Sequence, residues 1–204
     1  MQVTVWAVAS VAGLAWLMDY SSTPGVAATA PVAWPRQTDL QRDDRRPTLL
    51  MFLHPHCACS QASLSELARV AVRGRERMRM QVLFVQPEGC PPDWYQTSLW
   101  THARDIPGVQ VDVDLGGHLA QQFGARTSGQ TLIYDRTGTL IFRGGLTPGR
   151  GHEGDSPGRT AVLSILEEKP NDRVMECSAF GCPLVTERAR SHAELFDDKL
   201  SSNR

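Results

Sequence analysis

The chain has 204 residues, 41% hydrophobic and 21% charged, with 21 Lys and Arg against 22 Asp and Glu for a formal charge of −1. That composition belongs to a globular chain with one ordinary core, and the charge balance excludes the electrostatic footprint of a nucleic-acid binder, whose affinity comes mostly from neutralising phosphates. Five cysteines exceed what a chain of this size needs for stability, so they point to chemistry or to an oxidising compartment, and the odd count leaves one thiol over.

Residues 3–18 carry no charge and hold Trp6 and Trp16 near their two ends. Their length approaches the roughly 20 residues of a membrane-crossing helix, and Trp suits the interface, so residues 1–20 are expected to form a membrane anchor or signal segment. No Lys or Arg precedes the apolar run, and the small-residue site Ala28-Thr29-Ala30 is followed by Pro31. Both features favour an uncleaved anchor over a cleaved signal. Residues 21–47 contain Pro24, Pro31, Pro35 and Pro47 among small residues, which predicts an extended, poorly packed Pro/Ala-rich tether. The working expectation is a single-pass protein with its bulk outside the cytoplasm.

An α/β domain follows over residues 48–170. Residues 48–54 (TLLMFLH) form a continuous apolar run, the mark of a strand covered on both faces. From Gln61, the side chains Leu64, Leu67, Ala68, Ala71 and Val72 fall on one helical stripe that Gly74 closes. Strands are predicted at 80–85 and 109–113, helices at 93–104 and 117–123, a hairpin at 130–135 and 139–143 through Arg136-Thr137-Gly138, and a last helix at 159–168 before Pro170. The order β-α-β-α-β-α-β-β-α is an α/β domain with an antiparallel hairpin near its C-terminal edge. The glycine-rich loop 144–158 lacks the Gly-Lys-Ser/Thr ending and the spacing of a phosphate loop. Residues 171–184 form a Cys-containing extension, and residues 185–204 a polar tail with a short helical pattern at 187–196.

The chemistry concentrates in His54-Pro55-His56-Cys57-Ala58-Cys59-Ser60, between a buried strand and an amphipathic helix. A cysteine at a helix N-terminus meets unpaired N–H groups and the positive end of the dipole, and a protonated neighbour such as His56 adds to this; both favour thiolate. Cys57 is the expected nucleophile and Cys59 the sulfur that attacks a mixed disulfide formed there, through a strained, oxidising Cys-X-Cys ring. The same four donors, His54, His56, Cys57 and Cys59, offer a rival use, since two imidazoles and two sulfurs suit Cu(I) or Zn. A non-catalytic binding role is the third class.

With this motif, the segments Phe123-Gly124-Ala125-Arg126-Thr127-Ser128-Gly129, Gly144-Gly145-Leu146-Thr147, Arg150-Gly151-His152-Glu153-Gly154-Asp155 and Phe180-Gly181-Cys182-Pro183-Leu184 resemble bacterial RedB-like proteins, membrane-anchored relatives of the TlpA type. The resemblance implies a thioredoxin-like fold with an inserted helix-strand unit, a central mixed sheet flanked by helices. It further implies thiol–disulfide exchange with extracytoplasmic thiol or disulfide protein clients, at a bacterial cell membrane, with the domain facing the periplasm and no cofactor. Two departures stand out: Ser60 occupies the place of the second sulfur of a Cys-X-X-Cys motif, and Ser128-Gly129-Gln130 stands where thioredoxins carry a cis-proline.

In that fold the loop 144–158 emerges beside Cys57, so Arg150, His152 and Asp155 are expected at the rim of the site, with His152 as proton carrier or ligand. Cys177 and Cys182 are spaced for a structural bridge through the Phe180-Gly181 turn or for relay with the first pair, with two free thiols as the third alternative. Cys90 is left over, as a bystander or as a resolving thiol.

Overall fold

The computed structural model describes residues 2–168 and 174–184. The polar tail 185–204, with the helical pattern at 187–196, lies outside the described residues.

The apolar run at 48–54 is β1 (Thr48–Leu53), every residue of it buried. Its side chains alternate between two cores, as a strand covered on both faces must. Leu49, Met51 and Leu53 join one cluster, and Leu50 and Phe52 the other. β2 (Arg79–Gln86) and β3 (Val109–Leu115) pair parallel beside it. On its other side β4 (Gln130–Tyr134) and β5 (Leu140–Gly144) pair antiparallel. A short β6 (Met175–Glu176), not anticipated from the sequence, adds parallel to β5. The order is β3-β2-β1-β4-β5-β6, a mixed sheet. The β4–β5 turn is held by Asp135, whose Oδ1 accepts from the amides of Thr137 and Thr139 at 2.9 and 2.8 Å. Gly138 supplies the positive φ of 87° there.

Of the helices, α1 (Gln2–Ser22) projects from the body with no residue buried. α2 (Ser60–Gly74), α3 (Ser98–Arg104) and α5 (Pro157–Leu166) pack Leu64, Leu67, Leu99, Val162 and Leu166 into the first core. α4 (His118–Gln122) lies on the second face, its start fixed by the buried Asp114 carboxylate, which accepts from the amides of Leu119 and Ala120. α3 begins later than the helix expected at 93, because residues 91–96 close into turns through Trp94 N to Pro91 O and Gln96 N to Asp93 O. Thr97, extended at φ −112° and ψ 174°, caps it.

The largest difference from expectation concerns the tether. Residues 23–34 are extended, as their prolines require, but they lie against the second face of the sheet. Ala28 and Ala30 are buried there. Trp34 packs edge-on against Phe123 and Tyr134, each at 5.1 Å between centroids. Tyr134 Oη donates to Pro31 O at 3.0 Å, and the amides of Trp34 and Leu140 bond across the strap to Gly138 and Val32. The physical reason is cover: Leu50, Phe52, Leu132 and Tyr134 face that side, and α4 is too short to shield them alone. Strap and extension therefore both belong to the folded body, which begins before residue 48.

Candidate active site

β1 ends at Leu53, and the chain turns through Cys57 N to His54 O (3.0 Å), Ser60 N to Cys57 O (2.9 Å) and Gln61 N to Ala58 O (3.4 Å) into α2. Cys59 stands at the N-cap position, already in right-handed helical conformation (φ −66°, ψ −22°). Cys57 therefore sits at the C-terminal end of the central strand and the N-terminal end of α2, as expected. It is 1% exposed.

The loop that faces it is 127–130. Its peptide bonds are trans, like all those described, and serine hydroxyls provide the contacts. Ser128 Oγ accepts from His54 N at 2.8 Å and lies 2.7 Å from Ser60 Oγ. The Ser60 hydroxyl in turn bonds the Cys57 sulfur. With Ser60 donating to a thiolate, Ser128 donates to Ser60, so two hydroxyl dipoles point at the charge.

The third side of Cys57 is closed by a residue that the sequence places far away. Cys182 N donates to Cys57 Sγ at 3.4 Å, across 125 positions, and the two thiols also bond. The segment carrying Cys182 runs antiparallel to the 126–128 edge, with a bridge between Thr127 and Pro183. Ser128 N donates to Cys182 O at 2.8 Å and Leu184 N to Arg126 O at 2.9 Å. Cys182 thus belongs to this site and not to a local bridge: all five cysteines are free thiols. Cys177, whose Cβ crowds Gly144, bonds through its amide to Arg143 O. The expected Cys177–Cys182 bridge is not formed, because the extension docks on the 126–128 edge and turns Cys182 towards Cys57.

These contacts set the thiols apart electrostatically. Burial pushes the Cys57 thiol up, but the Cys182 thiol and amide, Ser60 and the Cys59 amide together outweigh it and hold its pKa below the ordinary thiol value. Burial first, and then the negative charge at Cys57, push Cys59 up. Cys182 is pushed up to about 12 by burial and by its hydrogen bond to Cys57, against a smaller opposing pull from Arg150. Of the three sulfurs, Cys57 is the one whose ionisation is favoured, and the thiols of Cys59 and Cys182 bond to it.

Of the rim residues expected from loop 144–158, Arg150 reaches the cluster. Its guanidinium bonds Gly181 O and Thr23 O, lies 4.9 Å from the Tyr20 ring, and acts on the charges of Cys59 and Cys182. The other two are turned elsewhere. His152 is exposed and its Nδ1 donates to Arg150 O at 2.8 Å, while Asp155 pairs with Arg159. The reason lies in Glu66, fully buried on α2, which accepts from Gly154 N at 2.7 Å and Arg159 Nη1 at 2.6 Å and pins this part of the loop to the helix.

The imidazoles do not close on Cys57 either. His56 Nε2 donates to Trp94 O at 3.0 Å, and its ring lies 4.6 Å from the Trp94 indole. His54 packs edge-on against the same indole at 5.2 Å and accepts from His56 N. Burial, then the charge of His56, pulls the His54 pKa down. Among the described residues no group of three or more His, Cys, Asp and Glu side chains is arranged to hold a metal ion. The four donors proposed for Cu(I) or Zn do not converge, because Trp94 draws the two rings away. Trp94, Ser60 and Ser128 are the contributors that motif reading misses; a hydroxyl at Ser60 in place of a sulfur is the signal that was present.

No family model and no curated protein matches the chain. Among solved structures it is similar to a hypothetical protein of Sinorhizobium meliloti, at 18% identity over 79% of this chain and 93% of that one, with a TM-score of 0.58. It is also similar to an uncharacterized conserved protein of Geobacillus kaustophilus, at 17% identity over 81% and 93%, with a TM-score of 0.57. A looser likeness joins it to the exposed lipoprotein thioredoxin of Streptococcus pneumoniae, at 23% identity over 62% and 87%, with a TM-score of 0.43. The strand-turn-helix that carries Cys57, the parallel β1–β2–β3 unit and the antiparallel β4–β5 hairpin make the fold thioredoxin-like.

Proposed function

We propose that this chain is a membrane-anchored thiol–disulfide oxidoreductase of the RedB-like, TlpA-related kind, acting outside the cytoplasm on thiol or disulfide groups of protein clients. The observation that carries this reading is the state of Cys57: a cysteine at the entry to α2 whose thiolate is favoured by four converging donors although the residue is buried. Such a sulfur attacks disulfides, and the sulfur that then releases the client comes from the thiols packed around it. The anchor rests on α1, a 21-residue helix long and apolar enough to cross a membrane and with none of its residues buried. A helix at this place also serves as a signal sequence, and the periplasmic side follows from the resemblance in the cysteine and glycine segments.

The test is catalysis of disulfide reduction in a small protein such as insulin, with glutathione as the electron source. The full chain should accelerate the reaction above the glutathione background and Cys57→Ser should return it to that background. Equal rates with and without the wild-type chain would overturn the reading.

A further inference from the structure

We propose that Cys182 is the disulfide partner of Cys57, so that the C-terminal extension carries the resolving sulfur and seats it on the 126–128 edge of the site. This deepens the exchange activity proposed above and rests on it.

Three observations support the assignment. The first is approach: the Cys182 amide is already 3.4 Å from Cys57 Sγ, and the segment holding it is fixed by Ser128 N to Cys182 O and Leu184 N to Arg126 O. The second is shape. Gly181 packs so closely on Ser128 that a Cβ there would overlap the Ser128 carbonyl oxygen, and Arg150 bonds the Gly181 carbonyl from the far side. The segment is therefore seated closely against the loop that faces Cys57. The third concerns the competitor. The Cys59 thiol also bonds Cys57, but Cys59 lies only two positions on, and its backbone is held in right-handed helical conformation at the start of α2. A Cys57–Cys59 bond would close a small ring over that short span, where disulfide geometry is strained, whereas Cys182 approaches from a separate segment and closes no such ring.

The exchange balances as follows. The Cys57 thiolate attacks one sulfur of a client disulfide; that disulfide breaks, its other sulfur leaves as a thiolate and takes a proton from water, and a Cys57–client bond forms. Because Cys57 is 1% exposed, this step requires the extension to lift from the 126–128 edge. When the extension returns, Cys57 carries no charge, so the negative charge and hydrogen bond that opposed ionisation of Cys182 are gone, while Arg150 still favours it. Cys182 gives its proton to water and attacks Cys57 Sγ. The Cys57–client bond breaks, the client leaves as a thiolate that is then protonated, and a Cys57–Cys182 bond forms. Two electrons have passed from the two cysteines to the client disulfide; its two thiolates take their protons from water, which received one proton from each cysteine on ionisation. The reverse sequence oxidises a client dithiol.

The experiment uses the purified full chain in detergent micelles, equilibrated at stepped ratios of reduced to oxidised glutathione. The chain is acid-quenched, alkylated and digested without reduction, and disulfide-linked peptides are identified by mass spectrometry. Wild type, C59S and C177S should each show the Cys57 peptide cross-linked to the Cys182 peptide, and C182S should lose that cross-link. A ring closed within the Cys57–Cys59 peptide, unchanged in C182S, would overturn the assignment of Cys182 and leave the exchange activity standing. A Cys57 that remains alkylatable at every ratio would overturn both. The urea midpoint gives a readout that needs no variant to fold. A Cys57–Cys182 bond closes a loop of 125 positions, and a Cys57–Cys59 bond closes almost none, so the first raises the wild-type midpoint on oxidation and the second leaves it where it was.

Discussion

At Ser60 a hydroxyl stands where a Cys-X-X-Cys motif puts its second sulfur, and the substitution changes the task of the position. A sulfur there would be oxidised with Cys57; the hydroxyl can only donate to it, and Ser128 lines up behind it at 2.7 Å. The thiolate is therefore stabilised by dipoles that survive every redox state, plus the Cys182 donors that depend on the extension being docked. The consequence is a pH profile with a definite sign. Cys57 ionises below the ordinary thiol range, so its absorbance at 240 nm, taken as wild type minus Cys57→Ser, rises at lower pH than that of a free cysteine. Ser60→Ala and Cys182→Ala each remove a donor to the charged form and must move the midpoint up. A midpoint that stays in place in both variants contradicts the donor assignment. Cys57 was legible in the sequence because helix-terminal position and residue type are local facts. His56 and His152 were misplaced because imidazole orientation is decided by groups a motif does not contain, the Trp94 indole and carbonyl for one and the Arg150 carbonyl for the other.

Between elements, the informative contact is the extension on the 126–128 edge. Residues 181–184 add main-chain hydrogen bonds to the 126–128 edge, and Gly181 permits the approach by having no side chain. Gly181→Ala should lift the segment and uncover Cys57. Each ~1.4 kcal/mol of docking lost multiplies the open population about tenfold, so the rate at which N-ethylmaleimide modifies Cys57, followed by peptide mapping, should rise about tenfold or more. Pro183→Ala, at an exposed position, serves as the control with little change. An unaltered rate in Gly181→Ala would mean that the extension does not guard the sulfur. Elements with a strong periodic or apolar signature, β1, α2 and β2, were readable to within a residue or so at each end. β6 was not, since two residues paired by one edge of β5 carry no pattern of their own. The approach of Cys182 to the first pair was open in the sequence only as an alternative to a local bridge, because the hydrogen bonds that seat its segment are made by backbone, which every residue offers.

Over the whole molecule, the sheet has two faces to cover and the chain covers them unequally. Three helices shield the first face, while the second is left to the short α4 and to the strap that enters from α1. α1 itself contributes no buried residue; it meets the body at its end, where Arg150 N donates to Ser21 O at 2.9 Å and the Arg150 guanidinium faces Tyr20. Composition correctly marked residues 23–34 as extended but not as packed, because alanine and proline read as a spacer unless the apolar face awaiting them is known. The stability boundary therefore falls after α1 and not at residue 48. A chain beginning at Thr23 should retain the urea midpoint of the full protein to within experimental scatter, whereas one beginning at Thr48 should lose a large part of it. Within the strap, Trp34→Ala should cost about 2–3 kcal/mol, less than the roughly 3–5 kcal/mol of a fully buried aromatic because Trp34 is only half-buried. Equal midpoints for the two truncated chains would return residues 23–47 to the status of a tether, and would leave Leu50, Phe52, Leu132 and Tyr134 without the cover that accounts for their burial.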